Sequence, residues 1–62
     1  MTRREFNERF AATPDNWFEP ATLDRLNDLA YASLTDIDIS ATDDYLLDQF
    51  VKSAFDDANN AL

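Results

Sequence analysis

The sequence predicts an all-α fold: a small three-helix bundle with one additional short helical turn, forming a single domain over residues 1–62. Three observations carry this. Apolar residues recur at helical spacing in three separate stretches, of which the last, from Thr42 to Leu62, is the longest. Each stretch opens on a capping residue, a proline or acids in its first turn. Glycine is absent from the chain, so turns that need positive φ are avoided and the helices must be joined by Pro, Thr and Asp connections.

The first helix is expected at about 3–12. Thr2-Arg3-Arg4-Glu5 fits a capping box, in which the Thr hydroxyl caps the first turn and the Glu carboxylate reaches back. Met1 and Phe6 occupy the two positions of the accompanying hydrophobic staple. Phe6 and Phe10, one turn apart, point inward, and Glu5 and Arg9 are spaced to pair on the surface. Thr13-Pro14 then starts a short turn that Pro20 ends, with Trp17 and Phe18 as anchors at the end of the bundle.

Glu19-Pro20-Ala21-Thr22 begins the second long helix, which runs to about Ser33. Its inner stripe is Leu23, Leu26, Leu29, Ala30 and Leu34; Asp24, Asp28 and Tyr31 lie on the far side. The following Thr35-Asp36-Ile37-Asp38-Ile39-Ser40 alternates polar and apolar, a strand pattern with no second strand to pair. It reads as an extended connector that tucks Ile37 and Ile39 over the core. Ser40 or Thr42 is expected to cap the third helix, with Asp43 and Asp44 in its favourable first turn. On that helix Leu46, Leu47, Phe50, Val51, Ala54, Ala58 and Leu62 fall on one side, with Phe55 at the margin. So broad a face asks for more than one neighbour and places Phe50 at its centre.

Composition narrows function by exclusion. The chain has neither cysteine nor histidine, which removes the usual zinc ligands and the side chain that titrates near neutral pH. A core this small leaves few apolar residues to enclose an active site, so an enzyme is not expected and no cofactor is called for. No segment approaches about 18 uninterrupted apolar residues, and no apolar run follows the basic N-terminus. The reading is a soluble protein of the host cell cytoplasm, with no membrane partner.

Charge is the dominant signal. Thirteen acids against five bases give a net charge of −8, and Asp outnumbers Glu ten to three. The imbalance is uneven. Residues 1–12 hold Arg3, Arg4 and Arg9 against Glu5 and Glu8, whereas residues 13–62 hold eleven acids against Arg25 and Lys52. Direct contact with nucleic acid would meet repulsion, and a basic protein surface is favoured as partner.

Asp24/Asp28 and Asp44/Asp48 are like-charge pairs one turn apart, which destabilise a helix by a few tenths of a kcal/mol each. Asp56 and Asp57 approach a helix C-terminus, where the dipole disfavours anions. Carboxylates one turn apart sit about 5–6 Å from each other, close to the phosphate spacing along one nucleic-acid strand. The candidate partner-binding residues are therefore Asp24, Asp28, Asp36, Asp38, Asp43, Asp44, Asp48, Asp56 and Asp57, with Tyr31 and Tyr45 as aromatic contacts on the outer faces. An acidic, well-solvated exterior, as halophilic proteins have, would show the same composition.

The alternating oxygens of Asp36, Asp38, Ser40, Thr42 and Asp44 follow the ligand spacing of an EF-hand calcium loop. Ala41 stands where that loop needs Gly, however, and Leu47 where it needs a bidentate Glu. Capping explains the oxygens, and no metal site is assigned.

In size, helix content, lack of Cys and His, and Asp-rich faces, the chain resembles the small acidic inhibitors of phages and mobile elements. These include the DNA-mimic anti-CRISPR and anti-restriction proteins. The resemblance is compositional and covers the whole chain. It implies a target on the nucleic-acid-binding surface of a CRISPR effector or restriction enzyme. A local likeness, over Thr22-Leu23-Asp24-Arg25-Leu26, Leu34-Thr35-Asp36 and Ser53-Ala54-Phe55-Asp56, is similar to the helical core of the Hha/YmoA modulators of H-NS. It implies a helical adaptor for a nucleoid or transcription protein. That family carries basic residues where this chain has Asp57, Ala58 and Asn59.

Overall fold

The structure is a computed structural model that describes residues 1–13 and 19–62. The short turn expected after Thr13, with Trp17 and Phe18, lies outside the described residues. Helix α1 spans Arg3–Arg9, α2 Pro20–Ala32 and α3 Asp44–Ala61, with a 3-10 turn at Ile39–Ala41. The fold is all-α, with no strand among the described residues.

Helix α1 starts as its sequence dictates. The Glu5 N–H donates to Thr2 Oγ1 at 3.1 Å and the Thr2 N–H donates to Glu5 Oε1 at 2.8 Å, closing the capping box. Met1 and Phe6 are both buried in the core. The helix ends at Arg9, earlier than expected, because Phe10 leaves helical geometry and its own N–H and that of Ala11 both bond to Phe6 O. Arg9 stacks on Phe10 rather than pairing with Glu5, and Arg4 takes Glu8 instead.

Helix α2 has Pro20 at its first position, where the missing N–H is no loss. The connector that follows is not fully extended. Asp38 accepts hydrogen bonds from the Ser40 N–H at 3.0 Å and the Ser40 hydroxyl at 2.7 Å, while the Thr42 hydroxyl donates to Asp38 O at 2.7 Å. Three side-chain bonds close a 3-10 turn where alternation alone suggested a strand-like run. Neither Ser40 nor Thr42 is then free to cap α3, and Asp43 occupies the cap position. Ile37 and Ile39 do pack against the core, as expected.

α2 and α3 form an antiparallel helical hairpin, with Leu62 beside Ala21 and Thr22. Their interface holds Leu26, Ala30, Leu34, Leu47, Val51, Ala54 and Ala58. Helix α1 lies along one side of the hairpin. Phe6, fully buried, stacks on Phe55 with ring centroids 6.0 Å apart and meets Tyr31 at 5.4 Å. The Met1 amino group donates to the carbonyls of Leu34, Thr35 and Ile37, joining the start of α1 to the end of α2.

Two expectations about faces are corrected here. Phe50 is not at the centre of the core: it is 46% exposed, and Leu46 beside it 48%. Helix α1 chose the opposite margin of α3, where Phe55 sits, and α2 covers only the middle. Tyr31 does not project outward either. Its ring packs on Phe6 and its hydroxyl donates to Met1 O at 3.0 Å.

Candidate functional site

The acidic residues occupy two ends and two sides of the helical hairpin. Asp36 and Asp38 lie in the connector, with Asp43, Asp44 and Asp48 in the adjoining first turns of α3. Asp24 and Asp28 on α2, and Asp56 and Asp57 on α3, lie toward the other end, because the helices run antiparallel. All nine are exposed. The spacing of α3 separates them further: Asp44, Asp48 and Asp56 fall on the flank that faces α1, Asp43 and Asp57 on the opposite one.

Among the described residues, three of the nine are engaged within the chain. The Arg3 guanidinium lies 2.8 Å from the Asp28 carboxylate and also stands over the rings of Phe6 and Tyr31. The positive N-terminal segment is thus used to dock α1 on the acidic hairpin. Lys52 reaches Asp48 at 3.0 Å. Asp28 is thus neutralised from α1 by Arg3, not by Arg25 on its own helix. Asp38 is held by the Ser40 turn, and those hydrogen bonds, led by the side-chain hydroxyl, keep its carboxyl below the usual aspartate range. The Thr2 cap does the same for Glu5, chiefly through the backbone N–H.

The carboxylates of Asp24, Asp36, Asp43, Asp44, Asp56 and Asp57 make no ion pair or hydrogen bond with another described residue. They sit on ordered helices, at helix ends or in the connector. Asp44 and Asp48 are one turn apart on α3, as Asp24 and Asp28 are on α2. Tyr45 is 69% exposed among them, as the sequence suggested. Among the described residues no group of three or more acids comes together closely enough to hold a metal ion.

Sequence reasoning missed Asn27. It is buried on the inner side of α2, where its amide makes two bonds to Ala12: Ala12 N–H donates to Oδ1 at 2.8 Å and Nδ2 donates to Ala12 O at 3.1 Å. One side chain therefore satisfies both backbone groups of the segment that leaves α1. The signal was present, since Asn27 sits among Leu23, Leu26 and Ala30 in the inner register. An open groove of about 430 Å³ beside it, lined by Phe10, Ala12, Val51, Lys52, Phe55 and Asp56, separates that segment from α3.

No helix is long and apolar enough to cross a membrane among the described residues. Comparison with family models, with characterised proteins and with solved structures finds no match. Charge and geometry are therefore the basis for function.

Proposed function

We propose that this protein is a non-catalytic acidic inhibitor that binds a basic nucleic-acid-binding surface of a partner as a DNA mimic. The partner is of the CRISPR-effector or restriction-enzyme type, met in the cytoplasm of the host cell. The observation that supports this is the set of exposed carboxylates without partners among the described residues, Asp24, Asp36, Asp43, Asp44, Asp56 and Asp57, on a scaffold with few bases to spare. A small domain has a stability of only a few kcal/mol. Retaining like-charge neighbours and acids near the C-terminus of α3 works against that stability, which is expected where the charges serve a partner.

A helical adaptor for a nucleoid or transcription protein is the second reading. It is favoured by the exposed Leu46 and Phe50, because a protein interface uses apolar contact where a phosphate mimic need not. The two readings differ in salt dependence. A carboxylate array replacing phosphates meets Lys and Arg directly, so its complex weakens steeply as salt rises. Isothermal titration of the protein into a CRISPR effector complex and into a restriction endonuclease, at two salt concentrations, tests the proposal. An association constant for either that falls sharply at the higher salt is the expected result. Binding indifferent to salt would contradict it.

A further inference from the structure

We infer that the flank of α3 formed by Asp43, Leu46, Phe50 and Asp57 docks a cationic amphipathic segment of the partner, one whose aliphatic side chains are bracketed by Lys or Arg. The inference rests on the basic-partner reading above and specifies how the contact is made. Leu46 and Phe50 are one turn apart and both about half exposed, while Leu47 and Val51 next to them are buried. The flank is left open because α1 packs on the Phe55 side and α2 covers the middle of the helix.

The intervals of three, four and seven residues from Asp43 to Leu46, Phe50 and Asp57 set all four side chains along one stripe. An acid thus stands at each end of an apolar pair. At about 1.5 Å rise per residue, the two acids are roughly 20 Å apart. Between them Ser53 completes the stripe, which carries no Lys or Arg.

Neither carboxylate is bonded to another described residue. Asp43 holds the cap position of α3 without a side-chain cap bond, so its carboxylate is not turned onto the helix amides. Asp57 lies in the C-terminal half of α3, where the dipole gives it no support.

Charge decides the occupant. A second copy laid antiparallel on this flank would oppose Asp43 of one chain to Asp57 of the other, between molecules of net charge −8 each. Anionic lipid is repelled for the same reason. A segment with Leu, Ile or Met at its centre and cations one or two turns to either side meets both features at once. A small apolar anchor ringed by complementary polar groups is how compact interfaces concentrate their affinity.

The test uses two fluorescein-labelled synthetic peptides of equal composition, measured by fluorescence anisotropy. One is a Leu/Lys helix with Leu on a single stripe and Lys toward the ends; the other has the same residues scrambled. The wild-type chain is expected to bind the patterned peptide about ten-fold more tightly than the scrambled one. Leu46→Ser with Phe50→Ser should abolish that preference while largely preserving the far-ultraviolet circular dichroism, since both side chains are about half exposed and lie outside the core. Asp43→Asn with Asp57→Asn, which leaves the apolar pair in place, should weaken the patterned peptide at low salt.

Retention of the ten-fold preference by Leu46→Ser/Phe50→Ser would overturn the inference. So would a wild-type dimer in sedimentation that this variant makes monomeric, since the flank would then hold a second copy. Failure of both peptides to bind at low salt would overturn it too. Salt-sensitive binding to an effector complex or endonuclease, run in parallel, separates the two claims. If that binding persists while Leu46→Ser/Phe50→Ser keeps the preference for the patterned peptide, the charge reading stands and the apolar anchor falls.

Discussion

Asn27 shows how much of a small fold can depend on one amide. Its two bonds to Ala12 hold the segment after α1 against α2, and both partners are backbone groups that would otherwise be half-buried without hydrogen bonds. Asn27→Ala should cost about 1–3 kcal/mol, the penalty for leaving buried polar groups unpaired, seen as a lower urea midpoint with little change in slope. A variant as stable as the wild type would mean that water replaces the amide fully. Glu5 and Asp38 act through charge instead. Each has a folded pKa below its unfolded value, so its contribution is complete above the ordinary carboxylate range and lost as pH falls through the folded value. Melting temperature should therefore fall as pH drops below the ordinary range of Glu and Asp. Glu5→Gln should lower it at pH 7 and flatten that acid decline. A steeper decline in the variant would contradict the assignment.

At the scale of elements, the burial of α3 can be tested by pairing two phenylalanines. Phe6→Ala removes a fully buried ring between Tyr31 and Phe55, and a change of this kind costs about 3–5 kcal/mol. That is as large as the net stability of about 3–5 kcal/mol expected for so small a core, so helical circular dichroism should be largely lost at room temperature. Phe50→Ala, on the open flank, should cost about 1 kcal/mol or less. Reversal of this order would place the core on the wrong side of α3.

The helices themselves were legible in the sequence. The capping box at Thr2, Pro20 at the start of α2 and the apolar period of α3 each act through neighbours within one or two turns. The choice between the Phe50 and Phe55 margins was not legible. A helical wheel gives the width of an apolar face, but its covered side depends on where α1 docks. That docking is set by contacts far apart in sequence: Arg3 with Asp28, Tyr31 with Met1, and Asn27 with Ala12. The connector was misread for a related reason. Alternation of Ile and Asp mimics a strand, while the bonds of Asp38 to Ser40 make a turn that no periodicity reports. The nine candidate acids were readable as exposed from composition and spacing, but not that Arg3, Lys52 and Ser40 would engage three of them.

For the molecule as a whole, the question is whether its surface charge serves a partner or only solubility. Asp44→Asn with Asp48→Asn keeps shape and removes two charges. It relieves one repulsive pair and breaks the Lys52–Asp48 ion pair, effects of similar size, so stability should stay within about 0.5 kcal/mol. Affinity for a basic target should nonetheless fall several-fold in calorimetry. Equal affinity would mean these acids only solvate the surface. A protein of net charge −8 that takes the place of nucleic acid must also exclude it. The decisive measurement is therefore competition: a labelled cognate duplex is bound to the effector complex or endonuclease, this protein is titrated in, and duplex still bound is read by fluorescence anisotropy. The account predicts complete displacement, with a midpoint that rises in proportion to the duplex concentration. A ternary complex in which duplex and protein are bound together would contradict it.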